Sequence, residues 1–236
     1  MLAALDAHLI EVLATGAIRL LRVEWVQQQP DDFKMPRRQE LEALEESGAS
    51  PSPLLTPQEA VALIRRGDRC VGVLTYGWLS PGDPDPAGSR IVVLRRALTG
   101  LAIEALFWDF ASLFQSPRTP DQEAAFKLAL EAMNQLYASI LATTVLQIQE
   151  IPTRPPEFDG ALCLFKISST ADEHAVLTAL AKFGEIVSWD LSCNPAIVRF
   201  ASHASAIAAK EAGAPPGLCE GLDTLYNETP YMRRGW

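Results

Sequence analysis

The sequence predicts an α/β fold: a parallel sheet of β-α-β-α-β order, interrupted by a compact β-α-β-β-α-β module. Three observations predict it. First, Cys70–Leu79 (CVGVLTYGWL), Ala105–Phe110 (ALFWDF) and Thr143–Ile151 (TTVLQIQEI) are short apolar runs with strand character. Second, the stretches between them have helical spacing. Ile91, Leu94, Leu98 and Leu101 share one face of Ser89–Ala102, and Phe126, Leu130, Met133, Leu136 and Tyr137 share one face of Asp121–Ala138. Strands alternating with helices argue a parallel sheet. Third, Pro152–Glu157 (PTRPPE) breaks this rhythm, and a different order of elements follows it.

Taken in order, Leu2–Leu13 has helical spacing and Ile18–Val26 (IRLLRVEWV) alternates as a strand does. Pro30–Arg38 is polar and irregular, Gln39–Glu46 is a short charged helix, and Ser47–Pro53 (SGASPSP) has linker composition. Residues 1–55 therefore read as an accessory segment. Thr56-Pro57-Gln58-Glu59 starts a helix, with Thr as cap, Pro at the first position and an acid in the first turn; it should run to Arg66 and stop at Gly67. Cys70–Leu79 is the central strand, and a polar loop (PGDPDPAG) follows it. The second strand, Ala105–Phe110, ends on Asp109. Asp121 stands at the start of the next helix, where a carboxylate accepts unpaired backbone N–H groups.

The module spans residues 157–228. Its strands are Ala161–Ser168, Ile186–Leu191, Ala196–Ala201 and Leu222–Tyr226. Its helices are Ala171–Phe183, ended by Gly184, and His203–Ala212. This is the split-βαβ, or ferredoxin-like, order.

Composition narrows the function. A net charge of −9 argues against phosphate binding as the main task, because nucleic-acid binders carry a basic patch. The N-terminus has no basic region ahead of its apolar residues and carries Asp6 and Glu11, so it does not read as a signal peptide. No long uncharged apolar run suggests a membrane span. Cys70, Cys163, Cys193 and Cys219 form no CxxC pair and read as reduced thiols, which places the expected protein in the cytoplasm. His174 and His203, set among the last three cysteines, match no closed metal site, so no metal is expected. GxSxG, P-loop and GxGxxG motifs do not occur.

In parallel sheets, ligands bind beyond the carboxyl ends of the strands. That rule singles out Tyr76, Trp78, Asp109, Gln115 and Arg118. Asp109 reads either as an acid that orients a ligand hydroxyl or as a cap on its own loop. Trp78 either stacks on a flat ring or covers the sheet edge. Arg118 either grips a phosphate or carboxylate, or is a solvated loop residue.

Three blocks resemble the heterokaryon-incompatibility (HET) domain family. Val73–Trp78 (VLTYGW) is similar to its "ALSYxWG" strand. Leu106–Gln115 (LFWDFASLFQ) is similar to "LWIDxxCIxQ", with Met133 and Tyr137 matching the helix that follows. Arg234-Gly235-Trp236 is similar to the start of "RGWxxxE". The resemblance covers residues 56–152 and 229–236. It implies a flavodoxin-like fold related to TIR domains, a role in defence or self/non-self signalling, and NAD as ligand or substrate with no cofactor required. Arg234 and Trp236 join the expected ligand residues on the same ground. In NAD-cleaving relatives a glutamate follows the Gly-Trp pair. Here the sequence given ends at Trp236, so the expectation is a truncated motif, no assigned catalytic residue and no glycohydrolase activity as it stands.

The inserted module resembles an RNA-recognition motif, through its spacing and through NPAIVRFASHASAIAA. The resemblance makes Lys166, Arg199 and Phe200 the nucleic-acid candidates. The stacking positions, however, fall on Cys163, Pro195 and Ile197, which carry no aromatic ring. Between Glu157 and Glu228 there are ten Asp/Glu against four Lys/Arg, a balance that repels phosphates. A protein partner or self-association is the expected role of the module, with RNA as the disfavoured alternative.

Overall fold

The computed structural model describes residues 6–233. The chain is a mixed α/β protein that divides into two compact units: Met1–Gly77 with Asp85–Gln149, and Trp78–Pro84 with Glu150–Trp236. Among the described residues no helix is long and apolar enough to cross a membrane.

In the first unit the order is α1 (Ala7–Thr15), β1 (Leu21–Arg22), α2 (Val23–Gln27), α3 (Arg38–Glu46), α4 (Pro57–Arg66) and β2 (Val71–Tyr76). Then come α5 (Arg90–Leu98), β3 (Ala105–Phe107), α6 (Asp109–Ser112), α7 (Pro120–Ala138) and β4 (Thr143–Ile148). The sheet order is β1-β3-β2-β4. β3 and β4 flank β2 in parallel, with Val73 opposite both Phe107 and Val145, and β1 runs antiparallel to β3. Every residue of the central strand β2 is buried, as expected for a strand covered on both faces.

The described part of the N-terminal stretch, residues 6–55, contributes to this unit's core. Leu9, Leu13, Ile18 and Leu20 are fully buried in one cluster with Ile64, Val71, Val73, Phe107 and Leu136. The strand expected over Ile18–Val26 is cut to Leu21–Arg22, and Val23–Gln27 turns into a helix. The cause is its partner. β3 is three residues long, and Val23 N–H makes the last bond to this side, to Glu104 O at 3.1 Å. A buried backbone without a neighbouring strand must satisfy its polar groups internally, and a helix does this.

β3 itself stops at Phe107, before the expected end at Phe110. Ser112 Oγ accepts from Trp108 N at 3.1 Å, and Trp108 O accepts from the N–H groups of Ala111 and Ser112, which winds the chain into α6. α5 likewise ends at Leu98, and Leu101, expected on its buried face, is 45% exposed.

α4 forms where its start and stop residues dictate. Thr56 and Glu59 make a reciprocal capping box, and Gly67 closes the helix at φ +66°. α7 is capped by Thr119, which accepts from Gln122 N, and Asp121 is not the cap. Its buried face is Ala129, Ala132 and Leu136, whereas Leu130 is 45% exposed.

The second unit contains β5 (Ala161–Ile167), α8 (Glu173–Ala181), β6 (Ile186–Asp190), β7 (Ala196–Phe200), α9 (His203–Ala212) and β8 (Cys219–Thr224). All pairings are antiparallel, in the order β6-β7-β5-β8. Leu162, Leu164, Val198 and Phe200 pack with Val176, Leu180, Ala206 and Ala209 of the helices. β8 starts three residues earlier than expected and ends two earlier. The turn that closes on Leu218 N → Pro215 O starts it at Cys219, and Tyr226 becomes a buried anchor whose Oη donates to Pro152 O. Gly160, at φ +67°, precedes β5, and a Cβ there would lie 2.1 Å from Phe200 O.

Candidate functional site

Tyr76 is the last residue of β2, and Asp109 follows the end of β3. Because the two strands are parallel neighbours, their carboxyl ends are adjacent, and the side chains meet. Tyr76 Oη donates to Asp109 Oδ1 at 2.7 Å and accepts from Trp108 Nε1 at 2.7 Å. The Tyr76 and Trp108 rings stand edge to face, 5.8 Å between centroids. Asp109 Oδ1 also accepts from Phe110 N at 2.7 Å. The indole can only donate and a carboxylate accepts, so the phenol hydrogen must point at Asp109. Burial pushes the Tyr76 hydroxyl well above its usual pKa, and the Asp109 charge adds to the rise, so Tyr76 is a fixed neutral donor.

α5 brings a second layer to the same strand end. Asp85 caps it: Oδ2 accepts from Arg90 N at 2.6 Å, and Oδ1 accepts from Ser89 N and Oγ at 2.9 and 2.8 Å. Arg90 is 1% exposed. Its Nη2 donates to Gly77 O at 3.2 Å, and its guanidinium carbon stands 5.9 Å from the Tyr76 ring centroid. A buried guanidinium beside an aromatic face and a carboxylate-capped helix start form an ordered polar region.

The other expected residues have varied placements. Gln115 turns back on its own loop, donating through Nε2 to Asp109 O at 3.2 Å and Leu113 O at 2.9 Å. It is joined to Asp109 through the backbone, and its amide braces the loop. Arg118 donates to Phe114 O at 2.7 Å and to Glu123 at 3.2 Å, and lies 3.6 Å over the Phe126 ring. This half-buried guanidinium braces the start of α7. Trp78 is half-buried and belongs to the second unit. Arg234 and Trp236 lie outside the described residues.

In the second unit, Lys166 is exposed and pairs with Glu220 at 2.6 Å, and Arg199 Nη1 donates to Asp159 O at 2.7 Å. Phe200 is 2% exposed in the helix-facing core, so its ring has no face for a base. Cys163, at the first stacking position, is fully buried, and burial pushes its thiol up to about 12. Among the described residues no group of three or more His, Cys, Asp or Glu is placed to hold a metal ion.

Asp85, Arg90, Arg38 and Gln39 were not singled out from the sequence. For Arg90 a signal was present: it precedes Leu94 and Leu98 by four and eight residues, on the buried face of its helix.

Comparison with family models, with curated proteins and with solved structures finds no match to this chain.

Proposed function

We propose that the first unit is a ligand-binding domain of HET/TIR-like type, serving defence or self/non-self signalling, with an NAD-class nucleotide as its ligand. The observation that carries the reading is the Trp108–Tyr76–Asp109 hydrogen-bond chain at the carboxyl ends of adjoining parallel strands. A carboxylate aimed by a neutral phenol is suited to accept a ribose hydroxyl, as acids at strand ends do in nucleotide folds. The order β3-β2-β4 supports the flavodoxin-like arrangement that the resemblance implies. The reading covers binding. Cleavage would need a carboxylate placed to stabilise an oxocarbenium-like centre, and no residue of the cluster is assigned that role.

The test is a calorimetric titration with NAD, ADP-ribose and nicotinamide, repeated on Asp109→Ala. Saturable NAD binding, weakened at least about tenfold in the variant, is expected; a tenfold loss equals about 1.4 kcal/mol. No saturation up to about 5 mM NAD, weaker than the roughly −4.1 kcal/mol of a millimolar site, removes the reading.

A second reading applies to the other unit. The order β6-β7-β5-β8 supports the ferredoxin-like, RNA-recognition-motif-like arrangement. Two exposed apolar residues on the edge strand β6, Val187 at 51% and Trp189 at 46%, favour a protein contact over RNA. Fluorescence anisotropy with RNA oligonucleotides at low salt should show no saturable binding, and saturable binding would reverse that preference.

A further inference from the structure

We infer that the start of α3 is a latch: Arg38 and Gln39 are positioning residues that set the conformation of the loop carrying Asp109, and through it the ligand site. The inference rests on the site assignment above, but its geometry stands independently of what the ligand is.

Three consecutive residues of the N-terminal segment grip one short stretch far along the chain. Gln39 Nε2 donates to Gln115 O at 2.5 Å, and Gln39 Oε1 accepts from Gln115 N at 3.2 Å. A primary amide that satisfies both backbone groups of one residue acts as a strand would, in one register only. Arg38 Nη1 donates to Ser112 O at 3.2 Å and to Ala17 O at 2.6 Å. Its Nη2 donates to Gly16 O at 2.7 Å, and the Glu42 carboxylate completes its partners. The guanidinium also lies 3.8 Å over the Phe114 ring. Arg37 Nη1 stands 3.5 Å from Ser116 O. Arg38 is 3% exposed, and the fork is saturated by carbonyls from two separate segments.

The Arg38 grip reaches the Tyr76–Asp109 pair in two further bonds, and the Gln39 grip in one. Ser112, held by Arg38, fixes Trp108 through its Oγ, and Trp108 Nε1 holds Tyr76 Oη. Gln115, held by Gln39, fixes Asp109 O through its side-chain amide. The two routes therefore end on the two members of the Tyr76–Asp109 pair. Loosening α3 would free the loop backbone at Ser112 and Gln115 together, and the acid and its phenol donor would lose their common frame.

The test uses the whole chain and Gln39→Ala, Gln39→Glu and Arg38→Met. Two readouts need no ligand: hydrogen exchange of the Gln115 amide, and the NMR position of the Trp108 indole N–H. In Gln39→Ala the Gln115 amide should exchange at least about tenfold faster, equal to about 1.4 kcal/mol of lost protection, and the indole signal should move. Gln39→Glu keeps the acceptor for the Gln115 amide but sets a second carboxylate oxygen against Gln115 O in place of a donor, so its protection should fall between that of Gln39→Ala and the wild type. Arg38→Met should shift the indole signal more strongly, and Gln39→Ala keeps the half-exposed position soluble if Arg38→Met does not fold. An unchanged Gln115 amide, or an indole signal unmoved in Gln39→Ala, overturns the latch. NAD titration of the same variants separates the two ideas. A wild-type chain that binds no NAD while both ligand-independent signals respond sinks the nucleotide reading and leaves the latch. A chain that binds NAD equally well in Gln39→Ala sinks the latch as a control of the site.

Discussion

Among the described residues, the interior of the first unit carries charge and that of the second does not. Arg38, Asp85 and Arg90 are each at most 4% exposed, and all three belong to the first unit. The helix-facing core of the second unit is built from Leu162, Leu164, Val176, Leu180, Val198 and Phe200, and its ion pairs stand at the surface, as Lys166–Glu220 and Lys210–Asp223 do. Burying an ion costs several kcal/mol unless its hydrogen bonds are complete, so a fold keeps one where geometry requires it. In the first unit Asp85 and Arg90 stand near the carboxyl end of β2, and Arg38 at the start of α3. The second unit has an apolar core between sheet and helices, and its half-buried Arg154 pairs with Asp159 and Glu228 outside that core. The first unit thus orders buried charge around its strand ends, and the second orders apolar side chains between sheet and helices.

The largest single effect should come from the second unit and involve no charge. Gly160 adopts φ +67°, its carbonyl accepts from Phe200 N at 2.8 Å, and an added Cβ would meet Phe200 O at 2.1 Å. Gly160→Ala combines left-handed strain with a backbone clash that no rotamer relieves, so it should cost about 3 kcal/mol. Urea unfolding followed by amide signals from β5 and β7 reads it. A loss below about 1 kcal/mol, within the range of ordinary substitutions, would mean that packing in this unit is looser than its register implies.

Tyr76→Phe probes the charged interior of the first unit. It removes one oxygen, leaves no large cavity, strands the Trp108 indole donor, and takes one of two donors from Asp109 Oδ1, which keeps Phe110 N. The expected loss is about 1–2 kcal/mol, typical of a buried donor left unsatisfied. Unchanged stability with an unmoved Trp108 indole signal would show that the hydrogen-bond chain contributes nothing to the contrast between the units.

What the sequence could reveal depended on whether a residue's partners were local. α4 was legible from Thr56, Pro57, Glu59 and Gly67, because a cap and a left-handed stop act within one turn. Tyr76 and Asp109 were legible because strand ends follow from the periodicity, and parallel strands bring those ends together. α2 was hidden, since its cause is the shortness of a partner strand some eighty residues on. Arg38 and Gln39 were hidden for the same reason: their function lies in backbone groups of Gly16, Ala17, Ser112 and Gln115, which carry no sequence signature. Gln115 and Arg118 were found as loop residues, but their donors serve the loop itself.

α7 sharpens the contrast at its smallest scale, because its core face is set by closeness and not by hydrophobicity. The apolar spacing points to Leu130, yet Leu130 is 45% exposed, while Ala129 and Ala132 are fully buried beside Leu136. Small side chains let a helix approach a sheet closely, and a leucine at either alanine position would overpack the contact. Leu130→Lys should therefore change stability by less than about 0.5 kcal/mol, since a lysine stem covers the same surface and keeps its charge in water. Ala132→Leu, a larger apolar residue two positions along on the buried face, should cost about 1–3 kcal/mol by overpacking. Thermal and urea unfolding of the two variants side by side decides the matter. If Leu130→Lys proves the costlier change, the buried face of α7 is the one hydrophobicity alone would choose, and the close alanine contact that seats this helix against Val71, Phe107 and the rest of the first core does not hold.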